Sequence, residues 1–367
     1  MSTSYEIFVA VTPGLEEALA SEIAEHLPSV STQVRHGGVT FRGTQEVLWT
    51  VTHRSRLAET VRVRVGRFKA RHFAELESGL ARIPWSAYLP RTASVTVQVT
   101  ARKSALYHSG AIADRVSKAL DRPVVPPDDA QFRLWVRMVK DHATVSVDAG
   151  GGLLHRRGWR QAVGRAPLRE TLAAACLRLA NVDSEQALWD PFCGSGTIPI
   201  EAALTRSMTP CQVERAFAFQ AWPTFQSEAY AAWRTEALKE RAPISPCFFG
   251  SERSEETLVG AQANATRAGV ADACRWMAGD FATHLDEIPQ GAAVVSNLPY
   301  GKRLGGGTPL ERLFGRFGEC LSKRPDLGPV VILVGKRPFE RATGLQWETI
   351  GTFGNRGTPT RLLRLKR

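Results

Sequence analysis

Two short stretches of the chain carry residue types that could do chemistry together. The first is Asp190-Pro191-Phe192-Cys193-Gly194-Ser195-Gly196-Thr197, after the apolar Leu188-Trp189 and before the apolar run Ile198 to Leu204. A short strand ending in an acid, then a proline, then two glycines one residue apart, is how a Rossmann-like sheet makes its first ligand loop. The glycines let the backbone turn tightly and approach a ligand, and the helix that follows points its free N–H groups at it. No Lys-Ser/Thr follows, so this is not a P-loop, and the spacing is not G-x-G-x-x-G. An acid directly before the loop repels a pyrophosphate and attracts a cationic ligand. The second stretch, Ser296-Asn297-Leu298-Pro299-Tyr300-Gly301, sets an amide, a rigid proline and an aromatic ring at the end of another strand. The plainer readings are a ligand-free connection for the first and an ordinary turn for the second.

Two further acids fall at putative strand ends, where open α/β sheets bind ligands. Glu252, in Gly250-Ser251-Glu252, can accept both hydroxyls of a ribose. Asp280, in Ala278-Gly279-Asp280-Phe281, can accept an adenine amino group, with Phe281 near the ring. Alone, each is more often a helix N-cap. In this order with Asp190 they describe an adenosyl ligand, and the cationic preference of the loop makes S-adenosylmethionine the candidate.

The elements that must position these residues alternate. From the helix opened by Ala166 to Thr171 onward, strands are expected at Leu188–Asp190, Cys247–Gly250, Cys274–Met277, Ala292–Ser296 and Val330–Val334, with helices between them, the signature of a parallel sheet. The long, Trp-rich run Ala216 to Leu238 reads as an inserted lid or packing helix. Ahead lie two smaller α+β units. In the first, Tyr5 to Val11 is a strand, Leu15, Ala18, Leu19, Ile23 and Leu27 recur at helical spacing, and Val61, Val63 and Val65 alternate with Arg62 and Arg64 as a strand with a basic outer face. The second runs from a helix at Phe73–Ile83 through a strand at Val95–Val99 and a helix at Ile112–Leu120 to paired strands at Phe132–Val139 and Thr144–Val147.

A chain of 367 residues holds two or three domains. A net charge of +11 favours an acidic partner, most often nucleic acid, although a scattered solvated surface would give the same sum. Basic residues cluster at Arg62, Arg64, Arg67, Lys69, Arg71, Arg102 and Lys103, which would bind RNA mostly through phosphates, at Arg156, Arg157 and Arg160 around Trp159, and at Lys302 and Arg303. Cations beside a flat ring suit phosphates and an unpaired base; the alternative is a charged connection whose Trp packs internally. The six cysteines form no C-x-x-C and read as buried free thiols of a reducing cytosol, with no metal site. No signal peptide or membrane span is expected, so the location is cytoplasmic.

The motifs resemble those of a known family. Asp190-Pro-Phe-Cys-Gly-Ser-Gly-Thr197 and Asn297-Leu-Pro-Tyr300 look like motifs I and IV of class I S-adenosylmethionine-dependent amino methyltransferases. The resemblance covers nearly the whole chain: residues 1–65 resemble a ferredoxin-like domain, 66–150 a THUMP RNA-binding domain, 151–165 a linker and 166–367 a Rossmann-like methyltransferase domain. It is strongest towards bacterial large-subunit (23S) rRNA guanine-N2 methyltransferases. Methylation of a guanosine N2 in RNA is therefore implied, with S-adenosylhomocysteine as product and a monomer as the expected state. It further implies cofactor contacts from Pro167, Thr171, Asp190, Phe192, Gly194, Ser195, Gly196, Thr197, Glu252, Arg253, Asp280, Phe281 and Asn297, and catalysis by Asn297, Leu298, Pro299 and Tyr300. RNA contacts are expected from Arg102, Lys103, Arg156, Arg157, Trp159, Arg160, Lys302 and Arg303. Many members carry Pro where this chain has Leu298, a variant associated with the tRNA enzymes of the same three-domain plan, so tRNA is the alternative substrate. Adenine-N6 methylation uses similar amine chemistry and is the more distant alternative.

Overall fold

A computed structural model describes residues 4–162, 168–211, 215–239, 242, 244–245, 247–299, 308–335, 339–355 and 357–367. The chain divides into two compact units. One comprises Met1–Val11, Leu19–Leu154 and Glu214–Ala237; the other comprises Thr12–Ala18, His155–Val213 and Leu238–Arg367.

The first unit contains strands β1 (Tyr5–Ala10), β2 (Gln33–Arg35), β3 (Gly38–Gly43), β4 (Thr60–Lys69), β5 (Val95–Arg102), β6 (Phe132–Val139) and β7 (His142–Asp148), with helices α1 (Glu16–His26), α2 (Gln45–Arg54), α3 (Phe73–Ala81) and α4 (Ser109–Leu120). They form one sheet in the order β2-β3-β1-β4-β7-β6-β5, antiparallel except for β5 beside β6. The boundary expected at residue 65 falls inside β4, which pairs with β1 on one side and β7 on the other. A register shift between Arg64 and Gly66 marks the handover.

That central place also changes the expected basic outer face. Arg62 lies over the Trp135 ring at 3.9 Å, and Arg64 lies 4.8 Å from the Phe8 ring centroid and donates to Glu6 at 2.9 Å. Both guanidiniums are drawn onto aromatic faces, where attraction to the ring offsets part of their lost hydration. The run read as a lid or packing insertion is a packing element of this unit. It carries α7 (Ser227–Leu238), whose Tyr230 hydroxyl meets His53 Nε2 at 2.9 Å and whose ring meets Trp49 edge-on at 5.3 Å. Burial pushes the His53 imidazole down to about 3, so this ring is neutral packing at neutral pH.

The second unit contains β8 (Leu188–Asp190), β9 (Phe248–Glu252), β10 (Cys274–Ala278), β11 (Ala293–Asn297), β12 (Val330–Val334), β13 (Trp347–Asn355) and β14 (Thr358–Leu365). Helices α5 (Glu170–Ala180), α6 (Thr197–Arg206), α8 (Glu255–Arg267), α9 (Thr308–Lys323) and α10 (Phe339–Thr343) intervene. The sheet order is β10-β9-β8-β11-β12-β14-β13; the first five strands are parallel and β14 is antiparallel to both its neighbours. The closing pair β13–β14 has no clear expectation in the sequence, because a bulge between Thr349 and Gly351 and the adjacent buried Leu362 and Leu363 interrupt the alternation. β8 and β11 lie side by side while the chain winds outwards from β8 to β10 and from β11 to β12. That is a topological switch point, where a crevice opens beyond the carboxyl ends of the strands.

The thiols differ in part from expectation. Cys176, Cys193, Cys211 and Cys320 are buried, but Cys247 and Cys274 are half-buried because they sit at the amino-terminal rim of β9 and β10. No described helix is long and apolar enough to cross a membrane.

Candidate active site

The glycine loop leaves β8 at the switch point. Asp190 is buried, accepts from Ser296 Oγ at 2.5 Å and accepts from the Phe192 N–H at 3.1 Å. Ser296 lies on β11, so this bond ties the two motif strands together at the crevice. Burial pushes the Asp190 carboxyl up to about 7 despite those two donors, and Glu252 adds to the rise.

Gly194 and Gly196 have φ of +53° and +80°, the left-handed region where an L side chain is strained. At Gly196 a Cβ would fall 2.5 Å from the Trp276 ring, whereas at Gly194 it would meet no atom of the described residues within 4 Å. The loop is therefore packed on its Gly196 side and open at Gly194. The Gly196 N–H donates to the Cys193 carbonyl at 2.9 Å, and the Cys193 N–H to the Ser251 carbonyl at 3.0 Å, which closes the turn against β9. Ser195 within the loop, Thr197 at the start of α6 and Thr171 on α5 are buried.

The parallel sheet aligns the other strand-end groups. Glu252 ends β9 and its Oε1 accepts from the Ser254 N–H at 3.0 Å. Asp280 follows β10 and caps a short 3-10 turn by accepting from the Ala282 N–H at 3.1 Å. It is also forked by Arg316 of α9, at 2.9 and 3.1 Å, and Arg253 lies 3.7 Å away. Its partial burial would raise the carboxyl, but the Ala282 N–H and the Arg316 and Arg253 guanidiniums together hold it below the ordinary value. The Phe281 ring is 1% exposed and packs against Phe192 at 4.9 Å and Phe317 at 5.8 Å. Its side chain is core, so the ring is not offered to a ligand, contrary to the ring contact expected.

Asn297 ends β11. Its Oδ1 is buried and accepts no hydrogen bond from any described residue. Leu298 is buried, its N–H bonded to the Leu333 carbonyl at 3.2 Å. Pro167, Tyr300, Lys302 and Arg303 lie outside the described residues.

The expected RNA contacts divide sharply. Arg102 and Lys103 are exposed at the end of β5, and Arg156 is exposed in the second unit. Arg157, Trp159 and Arg160 are not available to RNA, which corrects the expectation drawn from the sequence. The Arg157 and Glu201 side chains are both fully buried, with Nε and Oε1 2.9 Å apart. Arg160 pairs with Glu170 at 2.9 Å, and Trp159 is 6% exposed, its carbonyl accepting from Arg267 Nε at 2.9 Å. The segment is a strap laid on α5, α6 and α8, because these helices supply buried acids and a guanidinium that its cations and carbonyls satisfy. Burial pushes the Glu170 carboxyl up to about 7, with Arg160 opposing the rise.

Three residues that organise the site do not stand out in the sequence. Arg316 has no local signal, and Ser296, although it opens the second motif, gives no sign of its bond to Asp190, since both partners are remote in sequence. Asn264 has one: it is a polar residue on the buried face of α8, three residues after the buried Ala261. Its side chain is fully buried. Among the described residues there is no group of three or more His, Cys, Asp and Glu that could hold a metal.

The chain that carries this arrangement is similar to known proteins. Residues 157–357 match the family described as RMKL-like, methyltransferase domain; residues 70–148 match the THUMP domain and residues 6–62 the RlmL ferredoxin-like domain. A Synechocystis protein described as an RNA methyltransferase is 29% identical over 99% of this chain and 97% of its own length. The ribosomal RNA large subunit methyltransferase K/L of Psychromonas ingrahamii is 34% identical over 85% of this chain, which corresponds to only 43% of that protein. Among solved structures, SMU.472, described as a methyltransferase and complexed with SAH, matches with a TM-score of 0.88 at 26% identity, both chains being wholly covered.

Proposed function

The chain belongs to the RMKL-like methyltransferase family, and from that premise we propose that it transfers a methyl group from S-adenosylmethionine to the exocyclic N2 of a guanosine in RNA, most specifically 23S rRNA. The observation that carries the proposal is the buried Asn297 Oδ1, which has no donor among the described residues and stands on the strand beside the glycine loop. A buried acceptor left unpaired costs about 1–3 kcal/mol, so its retention at a ligand crevice fits a site completed by a substrate N–H.

The residues present fit the cofactor. Gly194 leaves room for close approach, Glu252 can accept from ribose hydroxyls, and Asp190 ties the base of the loop to β11 through Ser296. Asp280 shares its oxygens with Arg316 and Ala282, which leaves limited acceptor capacity for an adenine amine. When bound, S-adenosylmethionine supplies an electrophilic methyl group. The chain's own part is to prepare the nucleophile. The guanine N2 lone pair is delocalised into the ring; accepting its two N–H groups at Asn297 Oδ1 and the Leu298 carbonyl withdraws it from that conjugation. Such acceptors, fixed before reaction, act by electrostatic preorganisation. The bond from the Leu298 N–H to β12 anchors the Asn297–Leu298 peptide on the sheet, and Pro299 fixes the φ that follows the Leu298 carbonyl. Tyr300 is assigned to stack on the base, which must leave its helix or loop to enter.

The large-subunit relative at 34% identity supports rRNA as substrate, and the exposed Arg102 and Lys103 suit phosphate contacts. The test is methyl transfer from labelled S-adenosylmethionine to rRNA and to bulk tRNA, each from cells lacking this protein, followed by nucleoside analysis. N2-methylguanosine in rRNA is the expected product. The same nucleoside in tRNA alone would overturn the substrate, and N6-methyladenosine would overturn the base.

A further inference from the structure

Among the described residues, Asn264 is the side chain that holds the glycine loop and the strap at once. Its Nδ2 donates to the Ser195 carbonyl at 3.1 Å and to the Ala162 carbonyl at 3.0 Å. Its Oδ1 accepts from the N–H groups of Gln161 and Ala162, each at 3.2 Å, and from Arg267. Every polar atom of a fully buried amide is thus used.

The Ser195 carbonyl and the Gly196 N–H belong to one peptide plane. That plane is pinned at both ends, by Asn264 on the carbonyl and by the Cys193 carbonyl on the N–H. Gly196 and the nearby Gly194 both take positive φ, and glycine has many alternative backbone conformations. A loop of this kind binds tightly only if its conformation is fixed beforehand, since otherwise binding must supply the ordering. Gly196 is already packed against Trp276, but that contact does not set the rotation of the preceding peptide. Asn264, reaching from α8, does so from the carbonyl side.

We infer that Asn264 is a positioning residue for the cofactor: it fixes the Ser195–Gly196 peptide in its ligand-ready orientation and couples that orientation to the strap at residues 161–162. This rests on the reading that the glycine loop holds S-adenosylmethionine.

Asn264→Asp tests it. The replacement is nearly isosteric and keeps an oxygen for Gln161, Ala162 and Arg267, but it puts a second oxygen where Nδ2 faces two carbonyls. Calorimetry with S-adenosylhomocysteine and steady-state kinetics with S-adenosylmethionine are compared with the wild type, alongside the ligand-free Tm. The expected result is a Kd weakened by at least about tenfold, as when one buried acceptor loses its donor. KM for S-adenosylmethionine rises in step, with kcat within about threefold. A folded variant that binds within twofold of wild type would overturn the inference, as would a fall in kcat at unchanged KM. Arg267→Met guards against reading stability as affinity. It removes the Arg267 bonds to Asn264 and to the Trp159 carbonyl but leaves both Nδ2 donations, so Tm should fall while Kd stays within twofold. An equal loss of affinity there would mean that affinity merely follows stability. If the wild type itself fails to bind S-adenosylhomocysteine, the cofactor reading falls; if it binds and Asn264→Asp binds equally, only this inference falls.

Discussion

Arg157 is where the sequence and the tertiary structure give opposite answers, and Arg157→Met separates them. As a sequence, His155-Arg156-Arg157-Gly158-Trp159-Arg160 is a cationic segment suited to RNA. In the fold, the Arg157 side chain has no exposure and its Nε lies 2.9 Å from Glu201 Oε1, itself without exposure. Breaking a buried ion pair by removing one member is strongly destabilising, by about 3–5 kcal/mol. For a unit of about 200 residues each kcal/mol moves Tm by ~2–4 °C, so a loss of about 6–20 °C follows. The double variant Arg157→Met/Glu201→Leu removes both charges at similar volume and should recover most of that loss, since apolar replacements of whole buried pairs are often neutral or stabilising. The assay is thermal unfolding of the wild type, both single variants and the double variant, with RNA affinity measured well below every Tm. RNA affinity should be unchanged throughout. An Arg157→Met protein with Tm within about 2 °C of wild type and several-fold weaker RNA binding would refute the buried-pair argument and restore the RNA-facing reading.

Three other outcomes are expected. Asn297→Ala should lower kcat by at least about a hundredfold, the scale of losing one preorganised acceptor, while S-adenosylhomocysteine still binds within about threefold; equal loss of both would make Asn297 a structural residue. Asp190 ionises near 3.8 when unfolded but near 7 when folded, so between those values the folded chain retains a proton that the unfolded chain releases. Its contribution to stability is full below about pH 4 and is lost as pH rises through about 7; Glu170, also raised to about 7, acts in the same direction. Asp190→Asn should flatten the fall of Tm between pH 5 and 7.5, and an unchanged slope would show that the Asp190 carboxyl does not titrate there. Replacing the exposed Arg102 and Lys103 by Ala should weaken RNA binding and reduce the slope of log affinity against log salt by about 1 for each phosphate no longer neutralised, measured by titration from low to physiological salt. An identical slope would remove both residues from the RNA surface.

The sequence by itself determined which residues stand at the strand ends. Asp190, Gly194, Gly196, Glu252, Asp280 and Asn297 could be named because short parallel strands end in recognisable turns, and the turn residues are dictated locally by φ, ring constraint and helix capping. It also determined the alternation of strands and helices, since burial on both faces leaves continuous apolar runs such as Val330–Val334. What only the tertiary structure decided are relations between residues far apart in the chain. A basic residue looks the same in sequence whether it faces phosphate or a buried acid, so nothing local separated Arg157 from Arg102. Arg62 and Arg64 alternate like a solvent face, but β4 is central and its neighbours bring Trp135 and Phe8 over them. Phe281 follows the site's acid as a ligand-facing ring would, yet Phe192 and Phe317 claim it for the core. Asn264 acquires its role only when α8 brings one amide within reach of Ser195, 69 residues away, and of Ala162, 102 residues away. Periodicity and turn chemistry are local and can be read along the chain; partnership is set by packing, and only the folded chain assigns it.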